Sequence, residues 1–136
     1  TTGWPGQASG ACLFRNIDLA QSGNWRAHDG QGFAARFPDP YGKSKPKGQV
    51  CQPVGPFPAP VGSVTRHRGT GLWVAIFQAK FGMPDGIGGQ YPTSGFYASS
   101  SRDLLRWSSP SLVIETPTLY DNPCGARVLR SYPSLI

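Results

Sequence analysis

Glycine and proline interrupt this chain throughout, 18 Gly and 14 Pro among 136 residues, and that spacing constrains the fold more than any other feature. Proline removes a backbone donor and glycine carries a large entropy cost in a helix. No stretch of ordinary helical length with 3.6-residue periodicity is left. The chain is nevertheless 38% apolar and holds 4 Trp, 5 Tyr and 7 Phe, too much hydrophobic surface for a disordered segment. Short buried strands separated by Gly/Pro turns reconcile the two facts, and the expected class is all-β.

The clearest strands lie in the middle. Val61–His67 and Leu72–Gln78 flank Arg68-Gly69-Thr70-Gly71 and read as a hairpin. The second arm, Leu72-Trp73-Val74-Ala75-Ile76-Phe77, is apolar at every position, which predicts a strand covered on both faces. Beyond the glycine-rich loop from Lys80 to Ser94, Gly95–Ser101 reads as a third strand. Leu112–Glu115, set between Ser-Ser-Pro and Thr-Pro, reads as a short fourth strand at an edge. Four consecutive antiparallel strands with tight connections make one propeller blade.

An internal echo extends the pattern. Gly10 to Leu19 followed by Trp25 aligns with Gly95 to Leu104 followed by Trp107, at a constant offset of 85 up to the Leu, each copy reading strand, Asp-Leu, then Trp. Asp18 and Asp103 are placed to accept N–H groups of their own turns, with Trp25 and Trp107 folding over them. These four residues are read as structural. The offset exceeds a blade of ~40 to 50 residues, and a Pro/Gly/Lys-rich insertion in 38–60 accounts for the excess. The expected organisation is an incomplete β-propeller: residues 1–37 end one blade, 61–115 form a complete one, and 116–136 contribute a loop and the first strand of the next, at Ser131–Ile136.

The stretch Ser101-Arg102-Asp103-Leu104-Leu105-Arg106-Trp107-Ser108, preceded by Gly95-Phe96-Tyr97-Ala98-Ser99, resembles the third-strand signature of propeller glycoside hydrolases of the arabinanase, xylosidase and invertase grouping, and more loosely the Asp boxes of sialidases. The resemblance covers about Ala11 to Ile136 and rests on structural motifs. It implies a propeller architecture and a carbohydrate-active parent, and it places the Asp-box turn away from the active face.

Charge and cysteine content bound the partners. The net charge is +6, but only Lys43, Lys45 and Lys47 cluster while the arginines are scattered, which argues against nucleic acid. No apolar run is long enough to span a membrane. Residues 1–10 carry no signal-peptide pattern. Cys12, Cys51 and Cys124 lack metal-type spacing, and either one disulfide with a third thiol or three buried thiols satisfies the count. His28 and His67 form no ligand pattern, Gly82–Gly89 lacks a phosphate-loop ending, and no nucleophile elbow occurs. No cofactor is implied.

Glycoside hydrolysis needs two carboxyl groups facing one another across a cleft. In a blade of this kind the loops at about 52–60, 80–94 and 116–130 share one rim, which brings Asp85, Glu115 and Asp121 together as candidate catalytic acids. Glu115, the one glutamate, leads them. Arg66, Arg127 and Arg130 are candidates for holding an acidic sugar, with Gln78 and Lys80 at the edge and Tyr91, Tyr120 and Tyr132 as stacking or packing rings. The expected function is hydrolysis of a glycosidic bond by a secreted or periplasmic parent. A non-catalytic propeller binding glycan or protein and a polyanion-binding module are the competing readings.

Overall fold

The computed structural model describes residues 6–37, 49–121, 128 and 130–135. Among them the chain is all-β, with two antiparallel sheets, one 3-10 turn at Ser22–Asn24 and no α-helix. Among the described residues no helix is long and apolar enough to cross a membrane. The sheets fall into two compact units, divided between Pro53 and Val54, and among the described residues neither sheet closes on itself as a barrel.

The N-terminal unit carries three very short strands, β1 (Phe14–Arg15), β2 (Arg26–His28) and β3 (Phe33–Ala35), in that order. A bulge between Ala27 and His28 interrupts the β2–β3 ladder. Among the described residues its buried core is Ala27, Ala35 and Cys51, with Cys12 packed against them. A Cys12–Cys51 disulfide crosses this core with a Cα–Cα distance of 5.9 Å. Of the two cysteine patterns left open by the sequence, the disulfide is the one adopted; Cys124 lies outside the described residues. The Gln7 side chain brackets Cys51, accepting its N–H at 2.8 Å and donating to its carbonyl at 3.2 Å. Asp29 closes the turn between β2 and β3 by accepting the N–H groups of Gln31 and Gly32 at 2.9 and 2.8 Å.

The second unit is a meander of four strands in the order β4 (Val61–Arg66), β5 (Trp73–Ala79), β6 (Gly95–Ser101) and β7 (Ser111–Glu115). The sequence places all four, with the edge position of β7, to within one or two residues. The β4–β5 turn is closed by His67 N–H to Leu72 O at 2.7 Å and Gly71 N–H to His67 O at 2.8 Å. Strand β5 is buried without a break from Ala75 to Ala79, because it lies between two neighbours and is covered on both faces. On one face Phe77 and Tyr97, paired across β5 and β6, meet Phe57 and Tyr91 from the loops, and Phe57 in turn packs edge-on against Trp107 with ring centroids 5.0 Å apart. Such offset and edge contacts add about 0.5–1.5 kcal/mol each beyond burial.

The strand expected at Ser131–Ile136 does not form: residues 131–135 carry no strand, and the local ladder contact is an isolated parallel bridge, Thr118 to Arg130. Tyr132 sits at φ 55°, which breaks an extended run, and the following Pro133 has no N–H to give a ladder. Pro133 instead lies on β4 at Gly62, where a Cβ would collide with the Pro133 carbonyl.

Candidate functional site

The strand directions set the site. β4 and β6 begin, and β5 and β7 end, at one edge of the meander, as the pairs Val61–Phe77, Ala79–Gly95 and Gly95–Glu115 show. The loops 54–60, 80–94 and 116–121 therefore emerge together. Between the last two opens a cavity of about 420 Å³ lined by Phe81, Thr93, Ser94, Glu115, Thr116, Pro117 and Asp121. That volume lies within the range of small-ligand sites.

Glu115 reaches the cavity as the last residue of β7 and is exposed. Asp121 is held by a local turn and by a distant loop. Its Oδ2 accepts the Thr118 N–H at 2.6 Å and the Thr118 hydroxyl at 2.9 Å, and its Oδ1 accepts the hydroxyl of Ser94. Burial pushes the Asp121 pKa up, but the Ser94 and Thr118 hydrogen bonds and the charge of Lys80 outweigh it and hold the group below its ordinary value. The site thus sets the hydrogen-bonded carboxylate of Asp121 and the exposed side chain of Glu115 beside the exposed ring of Phe81.

Other residues expected at this rim are placed differently. Asp85 does not line the cavity; its Oδ1 accepts the N–H groups of Ile87 and Gly89 at 2.9 and 2.8 Å inside a small hairpin turn of the 80–94 loop. Tyr91 is 1% exposed and donates its hydroxyl to the Pro56 carbonyl, so its ring packs the core and presents no face to a sugar. Its pKa is raised, by burial first and then by the charge of Asp85. Gln78 is likewise buried within β5, with Oε1 lacking a partner among the described residues. Arg66 pairs with Trp73 at the opposite end of the sheet, six residues along β5 from Ala79, or about 20 Å. It cannot act with Arg130 on one ligand group. Arg127 lies outside the described residues.

Lys80 is half-buried at the cavity end of β5. Arg130 donates its N–H to the Pro117 carbonyl at 3.2 Å and makes a long 3.5 Å contact with the Thr116 hydroxyl, so it flanks the cavity wall. Tyr120 is half-buried, its N–H directed to the Thr118 hydroxyl at 3.3 Å; Tyr132 is 79% exposed.

The two Asp turns differ. Asp103 Oδ1 accepts the N–H groups of Leu105 and Arg106 at 3.0 and 2.8 Å, its Oδ2 meets Arg106 Nε at 2.9 Å, and Trp107 Nε1 donates to the Leu104 carbonyl at 2.9 Å. The Arg106 N–H and guanidinium and the Leu105 N–H hold its pKa far below the carboxylate range. Asp18 accepts the Ala20 N–H and the Gln21 side chain, each at 3.0 Å, while Trp25 stays 47% exposed.

Sequence reasoning missed Phe81, Thr93 and Ser94. Among the described residues no group of three His, Cys, Asp or Glu side chains converges as metal ligands. Compared with family models, curated proteins and solved structures, the chain matches none.

Proposed function

We propose that this chain is a segment of a propeller protein acting on carbohydrate, and that the Glu115–Asp121 cavity binds a saccharide whose glycosidic bond the complete protein hydrolyses. The observation that carries this reading is the presence of both carboxyl groups on the lining of one 420 Å³ cavity beside an exposed aromatic ring. In that role Asp121, hydrogen-bonded into its ionised form, stabilises the positive charge that develops at the sugar carbon. Glu115, at the strand end, protonates the leaving oxygen as the glycosidic bond breaks, and water then adds to the sugar carbon and returns its proton to Glu115. Phe81 offers a flat apolar face to a sugar ring. The four-stranded meander supports the blade reading, and the Cys12–Cys51 disulfide supports an oxidising compartment, secreted or periplasmic.

One observation favours a second reading, a glycan-binding propeller without catalysis: three hydrogen bonds already occupy the Asp121 carboxylate. Glycosidase and binding assays on the protein in its complete reading frame separate the two. Hydrolysis of a glycoside panel that falls at least about a thousandfold in Glu115→Gln while saccharide binding persists supports the enzyme. Binding without turnover in the parent protein supports the lectin-like reading. Binding and turnover both untouched by Glu115→Gln and Phe81→Ala would remove the cavity from either.

A further inference from the structure

The arginines of the four-stranded sheet gather at the end away from the first cavity. That end bears Arg66 on β4, Arg68 in the β4–β5 turn, and Arg102 and Arg106 after β6, with Asp103 the one acid there among the described residues, whereas the cavity end mixes Asp85, Glu115 and Asp121 with Lys80 and Arg130. Asp103 offsets one of these four charges. Its carboxylate accepts the N–H groups of its own turn and the Ser101 hydroxyl and pairs with Nε of Arg106, which leaves a cationic excess. The Arg106 side chain is 91% exposed, and its terminal amino groups have no partner among the described residues. Arg102 is exposed and its side chain is likewise unbonded there. Both arginines line a cavity of about 310 Å³ together with Leu72, Ser100, Ser101 and the carboxylate-bearing Asp103.

The Arg102 guanidinium and the terminal amino groups of Arg106, left open beside the paired Asp103, match the oxygens of a sulfate or carboxylate group. We propose that this second cavity binds the sulfate or carboxylate groups of an acidic polysaccharide. Arg66 sits two strands from Ser101, roughly 10 Å across the sheet, and Arg68 lies in the adjoining turn, so a polymer with repeated charges meets further cations beyond the cavity. A single-stranded nucleic acid fits less well, since its sites interleave charge with aromatic platforms. This cavity has no aromatic lining, and the nearby Trp73 ring lies under Arg66, 5.9 Å from the guanidinium carbon. The inference does not depend on the Glu115–Asp121 cavity, which lies at the other end of the strands.

The test is retention of the whole chain on immobilised dextran sulfate and polygalacturonate, with neutral dextran as blank and a single-stranded DNA oligonucleotide as competitor. Binding to one or both acidic polymers is expected, and the comparison assigns the recognised group. Because Arg106 also supports the Asp103 turn, Arg102→Glu is used beside Arg102→Ala/Arg106→Ala; each is expected to weaken binding about tenfold or more, the scale of one charge-assisted hydrogen bond. The Lys43→Ala/Lys45→Ala/Lys47→Ala variant, which removes three charges from elsewhere in the sequence, is expected to bind as the parent does. Equal loss in the lysine variant, tighter binding of DNA through the same arginines, or no retention on either acidic polymer overturns the proposal.

Discussion

The two sheets use the same materials in opposite proportions. The N-terminal sheet has strands of two or three residues, a bulge, and a core of two alanines and a half-cystine, and a covalent cross-link lies across it. The four-stranded sheet has strands of five to seven residues and a cluster of interlocking aromatic rings. Where burial is ample the fold needs no staple; where it is scarce, the disulfide restricts the unfolded chain instead.

This contrast is open to direct attack by amide hydrogen exchange. Phe77→Ala removes the ring at the centre of the aromatic cluster and is expected to cost roughly 3–5 kcal/mol, with protection lost across β4–β7 and retained in β1–β3. Reduction of the disulfide, or Cys12→Ser, is expected to cost roughly 2–4 kcal/mol in the other pattern, with the exchange of Ala27 and Ala35 accelerated and β5 unchanged. Uniform loss in either experiment would mean that the units do not stand on separate supports.

The Asp turns repeat the contrast on a smaller scale. Trp107 is half-buried against Phe57 and bonded to its own turn, so Trp107→Ala is expected to cost roughly 2 kcal/mol in thermal or urea denaturation. Trp25→Ala, at a ring that is 47% exposed, is expected to stay within about 0.5 kcal/mol.

The smallest effect is a local one with pH. Asp103 and Asp29 have pKa values lowered by the N–H groups of their turns, so their contribution is complete at neutral pH. It is lost as pH falls from the unfolded value of about 3.9 toward the folded one. The amide shifts of Leu105, Arg106, Gln31 and Gly32 are expected to move below about pH 4; shifts that titrate near neutrality would contradict the assignment.

Strands β5 and β6 were legible because their signals are local: an unbroken apolar run in one, a Gly-to-Ser span in the other. The echo at Asp18 was legible as turn chemistry but not as packing, since Trp25 and Trp107 differ only in what the rest of the chain brings to them. Register decided the fate of Arg66, for the end of the sheet a residue reaches depends on strand direction and pairing. Ser94 was hidden because its partner, Asp121, lies 27 residues away. The Thr118-x-x-Asp121 spacing holds a local signal that went unread, a side chain returning to a nearby backbone N–H, which marks a held carboxylate.

The central claim, a saccharide site at the carboxyl-bearing end of the four-stranded sheet, is tested most directly by amide NMR titration of the whole chain with neutral arabino-, xylo- and fructo-oligosaccharides. The account predicts saturable shifts at Phe81, Thr93, Ser94, Glu115 and Thr116, lost in Phe81→Ala, with Leu72 and Arg102 unmoved. Shifts confined to the arginine-bearing end, or none with any saccharide, would contradict it.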